Sequence, residues 1–316
     1  MSASLRGQHV NASVRGQTMS ASLRGQGWLF CAVALTSVAI SLVGGKGSAL
    51  HEVMWAAVLI ALLGVPHGAL DAVFARSLFG TSDFKGWLLF SLLYIGVAAS
   101  VVGVWFVVPT VFLAVFLVSS ALHFGGDPAS GTRMPARILY GGAVIVLPAL
   151  WHGAELQRLL AWVAGPASAA SIAPVLSQLA WPWLAATVLG CALQARTSRL
   201  AALEWAALAT LAVAAPPLVA FTIYFCAMHS PRHVLKTLAN LSDRETRSAV
   251  ALALWPSLAV WAAMAVTLWL VNGKPPQSWS DQAAVIQVTF VGLAALTLPH
   301  MLLIARARRF GRRARG

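Results

Sequence analysis

Apolar residues run through this chain in blocks of about 16 to 26 positions, broken by short polar stretches, and that rhythm predicts a bundle of membrane-spanning helices. Ten segments qualify as candidate spans: 27–44, 51–76, 86–104, 107–124, 137–152, 172–194, 200–215, 217–237, 248–271 and 283–305. Several are short and 200–215 carries Glu204, so the count reads as about ten with eight as a lower bound. Val108-Pro109, Pro216-Pro217 and Asn272 to Pro276 punctuate the blocks as tight turns. Trp151, Trp181, Trp183 and Trp279 fall near span ends, where an amphipathic ring suits the membrane interface. The fold class expected is an all-α, polytopic transmembrane bundle.

Residues 1–26 have a different texture. SASLRGQ occurs at Ser2–Gln8 and again at Ser20–Gln26, with NASVRGQ between them at Asn11–Gln17. Three polar phrases without an aromatic or acidic residue cannot bury enough surface to fold alone, so this arm is expected to be disordered. Residues 27–305 then form a single transmembrane domain, and 306–316 a basic tail. A retained first span, rather than a cleaved signal peptide, is the reading of the first apolar block.

Composition agrees with this division: 59% of the 316 residues are hydrophobic and only 10% charged, well below the charged fraction of soluble domains. The three cysteines, Cys31, Cys191 and Cys226, lie inside apolar blocks without CxxC spacing, which points away from a disulfide framework or a zinc ribbon. The formal charge of +13 is distributed over loops. In a ten-span register with both termini cytoplasmic, 18 of the 22 Lys and Arg residues fall on the inner side, as the positive-inside rule requires. The net charge is therefore a topology and lipid-headgroup signal rather than a mark of nucleic-acid binding. Arg232, inside a span, reads as a snorkelling cation.

The histidines sharpen the picture. Spans 51–76, 107–124, 217–237 and 283–305 all run inward in this register and carry His67, His123, His229 with His233, and His300 late in their length. At 1.5 Å per residue these positions lie roughly 18 to 26 Å below the outer helix ends, so five imidazoles share one layer. His229 and His233 have the i, i+4 spacing that lets two rings approach one ion from one helix. Asp71 and Asp127 follow His67 and His123 by four residues and would share a helix face with them if the helices continued. Either carboxylate could orient a ligand through its second ring nitrogen. Ionisable groups in apolar spans are expensive and tend to be functional, and imidazoles without thiolates suit iron, copper, zinc or nickel. The residues alone leave a metal enzyme, a histidine-lined metal or proton transporter, and a bis-histidine haem protein open.

The phrases PHGALD (Pro66–Asp71), HFGGD (His123–Asp127), HSPRH (His229–His233) and PHM (Pro299–Met301) resemble the Brp/Blh family of membrane β-carotene 15,15'-dioxygenases. The resemblance spans about Leu50 to Ala305 and is carried by the histidine motifs. It implies a multi-pass protein of the inner membrane that uses Fe(II) and O2 to split the central double bond of β-carotene into two molecules of retinal, with delivery of retinal to a rhodopsin as the expected use. Position by position it implies His67, His123, His229 and His233 as iron ligands, and leaves His300 without a role. Phe74, Phe124, Tyr224 and Phe225 lie near the histidine layer and are candidates for lining the polyene's path.

Overall fold

The computed structural model describes residues 2–44, 49–79, 83–128, 131–239, 241–272 and 279–313. Lys46, Lys274, the Gly273–Pro276 part of the predicted turn and the last three residues of the basic tail lie outside them. Among the described residues every regular element is helical.

Helix α1 (Ser2–Val43) carries the polar phrases straight into the first apolar block, with its candidate span at Ala21–Val43. Gln26, assigned to the polar arm on sequence, is buried and belongs to the packed bundle. α2 (Ala49–Leu59) runs through a π-helical turn at Ile60–Gly64 into α3 (Val65–Ala69) and α4 (Asp71–Phe79). Two antiparallel helices follow, α5 (Phe84–Val107) and α6 (Pro109–Phe124), joined at the predicted Val108-Pro109 turn. α7 (Met134–Val146), a 3₁₀ turn at Leu147–Leu150 and α8 (Gly153–Ala164) come next. The long α9 (Pro166–Ala195) and α10 (Arg199–Ala214) lead to α11 (Pro217–Ile223), a second π segment at Tyr224–His229, and α12 (Ser230–Leu238). α13 (Asp243–Asn272) and α14 (Trp279–Arg313) complete the chain.

α5 shows why the bundle belongs in a bilayer. It buries none of its residues, yet its mean hydropathy is 2.1 and Leu89, Leu92, Leu93, Ile95 and Phe106 are exposed. Water would not tolerate so large an apolar face, whereas 24 residues at 1.5 Å each reach about 36 Å, enough to cross the hydrocarbon core.

Among the described residues six helices are long and apolar enough to cross a membrane, or seven if α7 and α8, bent by 115° to each other, count as one broken span. The ten-span count is not supported. Apolar runs were counted by composition, but α6 and α10 are only 16 residues each. The 217–237 block is divided among α11, a π segment and α12. Short apolar helices also arise inside a bundle, where protein rather than lipid covers them.

The core around the functional region is aromatic. Phe30, Phe124, Tyr140, Trp205, Tyr224 and Phe225 pack into one cluster that joins α1, α6, α7, α10 and the second π segment. α14 packs against α2, α5, α8 and α13.

Candidate metal centre

Both π segments abut the site, where such bulges commonly occur because they re-aim side chains and release backbone carbonyls. In the first, the Val65 N–H reaches back to the Ile60 carbonyl, and Pro66, having no N–H, leaves Ala61 without its next donor. The Trp261 indole of α13 supplies one at 2.8 Å. In the second, the Ser230 N–H reaches back to the Phe225 carbonyl, Pro231 has no N–H to continue the pattern, and the Gln26 amide donates to the Ala227 carbonyl at 2.8 Å. The Ser230 hydroxyl donates to the Leu63 carbonyl at 2.5 Å, tying the two π regions together. Gly64 allows this approach, since a Cβ there would strike the Phe225 ring. These contacts place His67 and His229 side by side.

Their rings lie 5.2 Å apart, centroid to centroid, and His123 approaches His229 at 4.5 Å. His67, His123 and His229 each turn one ring nitrogen toward a common point, with those nitrogens within 4.8 Å of one another. The two Nε2 atoms of His123 and His229 are 3.0 Å apart. His300 lies 5.1 Å from His123 and His233 5.5 Å from His67, so the structure brings all five predicted histidines together. His233 is half-buried and its Nε2 sits 3.4 Å from the Thr237 hydroxyl of its own helix.

The two aspartates do not share a helix with the histidines that precede them. α3 ends at Ala69 and α6 at Phe124, so the backbone turns before either carboxylate and aims it at a different helix. Asp127 receives His229 Nδ1 at 2.9 Å and the Tyr224 hydroxyl at 2.5 Å. Asp71 receives His300 Nδ1 at 2.7 Å, and the Tyr94 hydroxyl lies 3.0 Å from its other oxygen. With Nδ1–H directed at a carboxylate, Nε2 keeps its lone pair; His67 is fixed in the same sense by the Gly64 carbonyl. Imidazoles whose Nδ1–H is committed to protein present Nε2 as donors to a cation. The donor set therefore fits a metal ion.

Behind Asp127 lies a buried ion pair that sequence reading missed. Arg232 is 5% exposed and grips Glu204 through both terminal nitrogens, at 2.7 and 2.9 Å, while its Nε donates to Gln26 at 2.8 Å. It does not snorkel. The available signal was Glu204 itself: an acid in an apolar helix calls for a basic partner, and Arg232 is the intraspan cation.

A narrow cleft of about 40 Å³ opens on His67, His123 and His300 and is otherwise lined by Val65, Gly68, Phe116, Phe124, Phe221, Phe225, Leu293 and Leu296, with Ser120 and Thr297 as its hydroxyls. Of the aromatic residues expected near a polyene, Phe124 and Phe225 line this cleft. Tyr224 is turned away to Asp127, and Phe74, on α4, is not among the lining residues.

A histidine-rich centre opening on an apolar cleft narrows the possibilities, and similarity decides among them. The sequence model for the family described as β-carotene 15,15'-dioxygenase matches residues 58–306, well over half the chain and every histidine of the centre. The chain belongs to the β-carotene 15,15'-dioxygenase family. A protein of that name from an uncultured marine bacterium, 66A03, is 32% identical over 79% of this chain and 92% of its own length. One from Halobacterium salinarum, named "Probable beta-carotene 15,15'-dioxygenase Blh", is 26% identical over 88% of this chain and 90% of its own. No solved structure matches. The protein is thus an oxidoreductase of the dioxygenase class, and its family is the one that the PHGALD, HFGGD, HSPRH and PHM phrases resemble.

Proposed function

We propose that this dioxygenase-family protein cleaves the central 15,15' double bond of β-carotene with O2, giving two molecules of all-trans-retinal. Each carbon of the broken double bond takes one oxygen atom, so the hydrocarbon and O2 are consumed without a separate reductant. His67, His123, His229 and His233 hold an Fe(II) ion, and Asp127 orients His229. Bound there, iron supplies the open coordination positions and redox chemistry that O2 requires. The chain's own contribution is the cleft: Phe124, Phe221 and Phe225 face an apolar polyene and keep water from the reacting bond.

One observation carries this reading: three buried or half-buried imidazoles converge within 4.8 Å at the wall of an apolar cleft, in a bundle whose outer helices suit lipid. A substrate as apolar as β-carotene partitions into the bilayer and enters laterally. The protein resides in the inner membrane, and retinal passes to a membrane acceptor such as a rhodopsin.

Expression of the full chain in a β-carotene-accumulating bacterium tests the activity. The expected result is bleaching with stoichiometric retinal. Cells that stay orange while holding folded protein and iron would sink the assignment of substrate.

A further inference from the structure

The two aspartates stand in matched surroundings. On one side Tyr224 donates to Asp127, which holds Nδ1 of His229. On the other, Tyr94 lies against Asp71, which holds Nδ1 of His300. Each chain draws on separate elements: the second π segment and the turn after α6 for the first, α5, α4 and α14 for the second. From this pairing we propose that His300 is a fifth metal-facing imidazole, positioned by Asp71 and Tyr94 as His229 is by Asp127 and Tyr224. The proposal deepens the iron-site reading and rests on it.

His300 is 2% exposed, and its Nε2 has no hydrogen-bond partner among the described residues. A histidine serving only to tie helices together would be expected to satisfy both nitrogens, because an unmet buried polar atom is unfavourable. Here Asp71 fixes the tautomer through Nδ1 and leaves Nε2 with a lone pair and no hydrogen-bond donor among the described residues. The ring is 4.9 Å from His233, 5.1 Å from His123 and 5.5 Å from His67, and it borders the cleft that opens on the centre. Tyr94 holds the arrangement together: its hydroxyl lies 3.0 Å from Asp71 and 3.3 Å from the Leu296 carbonyl, one turn before His300 on α14. The carboxylate is thereby indexed to the helix whose histidine it orients.

Titration of the metal-stripped, detergent-solubilised full chain with Co(II) reads the coordination directly, through ligand-field absorption, without turnover. His300→Ala is expected to weaken Co(II) binding by about tenfold or more and to alter the visible spectrum. Added imidazole should restore the parental spectrum, which it would not do for a purely structural loss. Asp71→Asn, which keeps the side-chain shape, should weaken binding by roughly 10- to 100-fold, and Tyr94→Phe by less; Asp71→Asn also carries the test if the alanine variant does not fold. Parental affinity and spectrum in both His300→Ala and Asp71→Asn would overturn the role of His300 while leaving the four-histidine site intact. Failure of the parent chain to bind Co(II) would overturn both readings.

Discussion

Asp127 and His229 lie 102 positions apart in sequence, and their carboxylate oxygen and ring nitrogen meet at 2.9 Å in the bundle interior. Asp127 is fixed in turn by Tyr224, and its backbone carbonyl accepts from Arg232 and Lys236 at 3.3 and 3.2 Å. Asp127→Asn should therefore lower metal affinity and retinal formation by about 10- to 100-fold, as loss of a carboxylate behind a ligating histidine generally does. Tyr224→Phe removes one hydrogen bond to a charged group, about 1.5–3 kcal/mol, and should have the smaller effect. Iron per chain and initial rates of retinal formation check both.

His123→Ala should abolish retinal formation and lower the iron content of the purified protein. The His123 ring nitrogen is one of the three that converge, and its loss opens one side of the centre. A variant that retains parental iron and bleaches β-carotene would remove His123 from the site.

The Arg232–Glu204 pair should be structural. Glu204→Ala strands a buried guanidinium, and breaking such a pair costs about 3–5 kcal/mol. The expected outcome is a lower melting temperature and poor recovery from detergent. Replacing both residues by apolar ones of similar size, Glu204→Leu with Arg232→Met, should recover much of the stability, as measured by thermal unfolding.

Leu293 lines the cleft but has no part in the histidine cluster. Leu293→Trp fills apolar space, so parental iron content is expected together with loss of β-carotene turnover. Unchanged turnover would place the polyene elsewhere.

Gly64 is the point of closest approach between the first π segment and Phe225. Gly64→Ala should displace the ring and push apart the elements bearing His67 and His229, lowering iron content where a surface glycine would be silent. Elemental analysis decides the matter.

Much of this architecture could be read from the chain. The apolar blocks announced a helical membrane bundle, and the four phrases around His67, His123, His229 and His300 pointed to a shared depth and to the family. The count of spans could not be read in the same way, because hydropathy does not distinguish a helix covered by lipid from one such as α10, covered by protein. Nor could the pairing of the aspartates. Spacing predicted Asp71 beside His67 and Asp127 beside His123, on the premise that each helix continued; both helices stop first.

What the sequence determined by itself is chemistry and environment: residue types whose transfer energies commit the chain to a bilayer, and imidazoles too polar to sit there without partners. Which nitrogen meets which carboxylate was decided by the tertiary structure alone. A hydrogen bond acts over about 3 Å, and only the packing of helices broken by proline and π turns brings Asp127 to His229, Asp71 to His300 and Glu204 to Arg232.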